Sequence, residues 1–97
     1  MEDKMKIWIL SPVDKLPKDN PWEPWYDKAF GFIIAAPDEE TARKLANDNG
    51  GDETGKISRA IYRTGGDAWL DGNLSVCREL VAEGDEAYVI MQDFAAA

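Results

Sequence analysis

The sequence predicts a small α+β domain: an antiparallel sheet of about four strands with one main helix packed on one face. Three observations point there. Apolar runs of strand length occur at 5–13 and 28–36, and again on both sides of a turn-rich tetrapeptide between 74 and 94. A single strong helix-start signature stands at 37–40. The length of 97 residues leaves room for one core, so 1–97 reads as one domain.

Met5–Val13 holds Ile7, Trp8, Ile9 and Leu10 in an unbroken run that stops at Ser11-Pro12, which predicts a first strand buried on both faces or nearly so. Residues 14–27 follow. With prolines at 12, 17, 21 and 24, the missing N–H donors and fixed φ values leave a long, stiffened, aromatic loop. Lys28–Ala36 is the second predicted strand, with Gly31 marking a bulge or a close backbone approach. Pro37-Asp38-Glu39-Glu40 opens the helix, with Asp38 as N-cap and three carboxylates at the positive end of the dipole. Ala42, Leu45 and Ala46 give it a narrow stripe of small residues that can lie close to a sheet. Asn47-Asp48-Asn49-Gly50-Gly51 ends it with residues that tolerate positive φ. Residues 52–66 fit two readings, a short helix through Ile57, Ala60 and Ile61 or an irregular edge strand over 57–63. Leu74–Val81 and Glu86–Phe94 flank Ala82-Glu83-Gly84-Asp85, the pattern of a C-terminal hairpin whose last strand turns one face to the helix.

Composition narrows the function. Apolar residues make up 44% and charged residues 31%, the balance of a globular chain. Nineteen acids against eleven bases give a net charge of −8, which repels nucleic-acid phosphate and anionic lipid, so no direct nucleic-acid or membrane contact is expected. With no His and a single Cys, the commonest general base and the usual zinc ligands are missing. An enzyme is therefore not expected, nor any cofactor or metal. The lone Cys77 cannot close an internal disulfide and reads as a small buried apolar residue with no His to activate it. The N-terminus lacks a basic and then apolar export signal, and the longest uncharged stretch, Ala29–Pro37, is far short of the ~20 residues of a membrane span. A cytoplasmic chain is expected.

Two motifs are partial. Gly50–Lys56 matches half of a phosphate-binding loop, but Ile57 stands where Ser or Thr would hold magnesium, two acids sit inside the loop, and it follows a helix end instead of a strand. Asp67-Ala68-Trp69-Leu70-Asp71-Gly72 has acids and a glycine at calcium-loop positions, yet Trp69 replaces the third ligand and Arg78 the bidentate Glu. The alternative reading of the chain is a domain that binds a cation or small ligand through this 67–71 turn. Otherwise Trp69 and Leu70 plug the core.

The leading reading is a protein-binding module. Asn20-Pro21-Trp22-Glu23-Pro24-Trp25-Tyr26-Asp27 gathers three large aromatics and two prolines in eight residues, and such rings are favoured binding anchors whose ordering cost proline lowers. The same residues also fit a loop folded back so that Trp22 or Trp25 caps a small core. From Thr64 to Ala97 there are seven acids and one base, a balance of −6, suited to a basic groove on a nucleic-acid-handling protein. The expected partner contacts are Trp22, Glu23, Trp25, Tyr26 and Asp27, with Asp67, Trp69 and Asp71.

Lys6-Ile7-Trp8-Ile9-Leu10, Trp25-Tyr26-Asp27 leading to Gly31-Phe32-Ile33-Ile34-Ala35-Ala36, and Asp38-Glu39-Glu40-Thr41-Ala42-Arg43-Lys44-Leu45-Ala46 resemble small bacterial and prophage-encoded α+β proteins. The likeness continues through Trp69-Leu70-Asp71 and Ser75-Val76-Cys77-Arg78-Glu79-Leu80 to Val89-Ile90-Met91-Gln92-Asp93-Phe94-Ala95, over most of the chain. The motifs are structural and carry over no catalytic residue. What the resemblance implies is an inhibitor of a host defence complex, loosely of the anti-CRISPR kind.

Overall fold

Side-chain alternation in the first apolar run sets the architecture. In the computed structural model, which describes residues 4–18, 20–22, 28–54 and 67–92, β1 spans Lys6–Pro12 and lies in the middle of a three-stranded sheet. β2, Phe32–Ala36, pairs antiparallel on one side with Leu10 opposite Phe32 and Lys6 opposite Ala36. β3, Ser75–Glu79, pairs antiparallel on the other with Leu10 opposite Cys77 and Trp8 opposite Glu79. One face therefore gathers Trp8, Leu10, Phe32, Ile34, Ala36, Ser75 and Cys77, and the other gathers Ile7, Ile9, Ile33, Val76 and Arg78.

α1, Glu39–Asn49, covers the first face, packing mainly on β2 and more lightly on β1 and β3. Ala42 and Ala46 are its buried contacts, and their short side chains let the helix axis come close to the strands. The core joins Leu10, Ala36, Ala42 and Ala46 to Trp22, Ala68 and Trp69, with Trp8, Phe32, Ile34, Leu74 and Cys77 around them. Trp22 and Phe32 each meet Trp69 edge to face, at 5.3 Å and 5.1 Å between ring centroids. Such contacts add about 0.5–1.5 kcal/mol beyond burial.

Several expectations change. Among the described residues the sheet has three strands and not about four, because Glu86–Gln92 forms no strand and the predicted hairpin is absent over that range. The Glu83 N–H donates to Tyr88 Oη at 2.8 Å, and Gly84 adopts φ +74°, so the chain curls on itself there instead of returning alongside β3. The second strand starts at Phe32, not Lys28. Ala29 has already given its N–H to the Glu53 side chain and its carbonyl to the Trp22 indole, leaving no groups for a ladder. Gly31 keeps the predicted close approach, since a Cβ there would stand 3.3 Å from the Leu10 carbonyl oxygen. β1 is buried on both faces at Ile9 and Leu10, as expected, and Ile7 nearer its start is exposed. Residues 55–66, and with them both readings of 57–63, lie outside the described residues, while Asp52–Thr54 forms a single 3₁₀ turn.

The helix begins as predicted, with Asp38 Oδ1 accepting the Thr41 N–H at 2.8 Å. Its end does not rest on positive φ: Gly50 is extended, at φ −73° and ψ 171°. Space explains the glycine, because a Cβ there would collide with Glu53 Oε2 and Thr54 Cγ2.

The hydrogen bonds from the Thr41 backbone and side chain hold the Asp38 carboxyl below its ordinary value of 3.8. A lowered folded-state value stabilises the fold above the unfolded value and loses that stabilisation as pH falls through the folded one. Asp38→Asn keeps the acceptor and removes the titration, so thermal unfolding followed below about pH 4 should fall less steeply for the variant than for the wild type.

Candidate functional site

Gly51 to Thr54 makes a tight turn in which the Thr54 N–H and hydroxyl both donate to the Gly51 carbonyl. That turn aims Glu53 inward, where it is fully buried. Its Oε1 accepts the Ala29 N–H at 3.0 Å, its Oε2 accepts the Trp69 indole N–H at 2.8 Å, and the Gly51 N–H reaches both oxygens at 3.0–3.1 Å. One side chain thus ties together the entry to β2, the end of α1 and the 67–71 turn. Every donor is a neutral N–H, and among the described residues no cation pairs with the group. The arrangement satisfies hydrogen bonds and leaves no oxygen aimed into a cleft, so it reads as a structural hub.

Arg43 performs the matching task from the helix. Its Nε meets Glu39 at 2.8 Å, an exposed i,i+4 pair worth about 0.3–0.5 kcal/mol. Its larger role is to donate Nη1 to the Trp69 carbonyl at 3.0 Å and to Ser75 Oγ at 2.9 Å, which fastens the 67–75 segment to the helix.

The predicted contact residues divide sharply. Trp22 is 2% exposed and donates its indole N–H to the Ala29 carbonyl at 2.8 Å. Trp69 is 0% exposed. Both are core residues and correct the expectation that they meet a partner, because closing the small core around Glu53 takes two indoles that can each bury a ring and place an N–H. Glu23, Trp25, Tyr26 and Asp27 lie outside the described residues. Asp67 is exposed at the start of the turn, and its carbonyl accepts the Leu70 and Asp71 N–H groups. Asp71 uses Oδ1 to accept the Asn73 N–H at 2.8 Å and its carbonyl to accept from Leu74 and Ser75. Much of the oxygen array of the supposed cation loop thus serves the turn itself, and no group of three or more metal-ligating side chains occurs among the described residues.

Other groups follow the same division. In the half phosphate-loop motif Glu53 turns inward and fills the space beside Gly50. Burial pushes the Cys77 thiol up from its ordinary value, more than Arg43 pulls it down, which disfavours the thiolate.

The segment Val81–Gln92, which the sequence reads as hairpin and acidic surface, is exposed at every residue. It carries five large apolar side chains, Val81, Tyr88, Val89, Ile90 and Met91, beside Glu83, Asp85 and Glu86. Its apolar alternation was visible as a strand, but alternation does not report whether a partner strand exists. The uncovered sheet face adds Ile7, Ile33 and Val76, all exposed. No helix among the described residues is long and apolar enough to cross a membrane.

Removing the Glu53–Trp69 bond from either side should show its weight. Glu53→Gln and Trp69→Phe should each cost about 1–3 kcal/mol in urea unfolding, and the double variant should cost less than their sum. Strict additivity would disprove the coupling.

The chain matches no protein-family model, no curated protein and no solved structure.

Proposed function

We propose that this chain is a non-enzymatic protein-binding module that works through the 81–92 arm, against a partner presenting an apolar strip bordered by basic side chains. The observation that carries the reading is the arm itself: twelve consecutive exposed residues, five of them large and apolar. Apolar side chains at this density are costly to leave in water and are the usual anchors of an interface. Charge selects the partner. The arm bears three carboxylates and no base, on a chain of net charge −8, so a basic surface is drawn to it and an acidic one repelled.

The strand that the sequence pattern encodes over Glu86–Phe94 then forms on the partner, as an added strand whose alternate side chains enter its pockets. The resemblance to prophage-encoded proteins supplies the partner class, a nucleic-acid-handling host defence complex met in the cytoplasm. Basic grooves built for phosphate have the required sign.

Capture from bacterial lysate tests this with two variants on exposed positions, Val89→Ser/Met91→Ser and Glu83→Gln/Asp85→Asn/Glu86→Gln. Wild-type protein should retain basic proteins that both variants lose, and retention should weaken as salt rises because charge steering is screened. Recovery of the same proteins by both variants would overturn the reading.

A further inference from the structure

The sheet face away from α1 holds an open groove of about 560 Å³ over the buried Ile9, lined by Phe30, Ile33 and Arg78 together with Met91 and Gln92 from the arm of the same chain. Its chemistry is the reverse of the molecule's. Among the nineteen acids of the chain none lines the groove among the described residues, and its one ionisable side chain is Arg78, which is exposed and makes no ion pair there. Lys28 adds a second cation beside it, with Nζ 5.5 Å from the Phe30 ring centroid. An apolar strip flanked by cations is what the arm requires, and the chain carries one itself.

We infer that two copies of this chain pair by exchanging arms, each seating its 86–92 segment in the groove of the other. The inference rests on the arm being the recognition element. Charge complementarity selects the occupant: the arm has Glu83, Asp85 and Glu86 to set against Arg78 and Lys28, and Tyr88, Val89 and Ile90 to set against the exposed Phe30 and Ile33. The arm does not fill its own groove. The Tyr88 Oη bond to the Glu83 N–H curls it, so that Met91 and Gln92 touch the groove while Val89 stays 73% exposed. Charge disfavours direct stacking of two such faces, because each presents Arg78 and among the described residues no acid lines either groove. Exchange is reciprocal, so the same two patches meet twice about a two-fold axis and the assembly closes as a dimer.

Sedimentation velocity on purified protein over a range of concentrations is the test. Wild-type protein should reach twice the 10.8 kDa of one chain. Ile33→Asp in the groove and Val89→Asp in the arm lie at positions 59% and 73% exposed in the single chain, so both variants should keep the wild-type circular dichroism. Each should weaken self-association at least about tenfold, a loss of ~1.4 kcal/mol. Mixed together they should form a one-to-one heterodimer, since one retains an arm and the other a groove. A wild-type protein that stays single, a dimer indifferent to both variants, or a mixture that fails to associate would each overturn exchange. A single-chain wild type that still captures basic proteins through the arm would overturn exchange and leave the reading of the arm standing. A dimer with no arm-dependent capture would support exchange and count against a foreign partner.

Discussion

The fold depends on one buried side chain accepting three N–H groups from segments far apart in sequence. Glu53 holds the backbone at Ala29, the backbone at Gly51 and the indole of Trp69, and Ala29 in turn accepts the indole of Trp22. The fully buried Trp69 indole would stand unpaired without its Glu53 acceptor at about 1–3 kcal/mol, with smaller losses at the half-buried donors, against about 5–15 kcal/mol for a domain of this size. The hydrophobic core alone is thin, with four alanines among its central members beyond the two indoles. A polar junction therefore fixes what apolar packing would leave loosely specified, because hydrogen-bond geometry is directional and the aliphatic contacts are not.

The same thinness explains where the molecule is open. One helix of eleven residues covers one face of three strands, and the described chain offers no second layer for the other face. Ile33 and Val76 stay exposed because the pleat that sends Ile34 and Cys77 toward the helix must send their neighbours the other way. Apolar surface on that face and on the arm is a by-product of a strand pattern that is apolar on both sides, and binding is the use that such surface can serve.

What the sequence made legible was the local part. The run at Ile7–Leu10 and the Asp38 cap declared β1 and α1 because both signals reside in neighbouring residues. The hub was illegible because a glutamate between Gly51 and Gly55 looks like any acid in a surface turn. Its burial follows from donors at 29 and 69, which no local pattern connects to 53. The start of β2 was misplaced for the same reason, since side chains at 22 and 53 consume the backbone groups of Ala29. At Trp22 the composition offered core and contact alike, and an indole N–H with an inward acceptor decided for the core. The arm was misread because alternation at 88–92 encodes the capacity for pairing, and pairing also needs a neighbour.

The order β2-β1-β3 carries a consequence for how the chain is made. The central strand precedes both of its neighbours in the chain, and the second of them is Ser75–Glu79, some seventy positions later. During synthesis Ile7 to Leu10 would therefore stand with one side unsatisfied until Ser75–Glu79 had left the exit tunnel. Nascent chains of this topology invite early guardians, and their maturation should be paced by the emergence of β3.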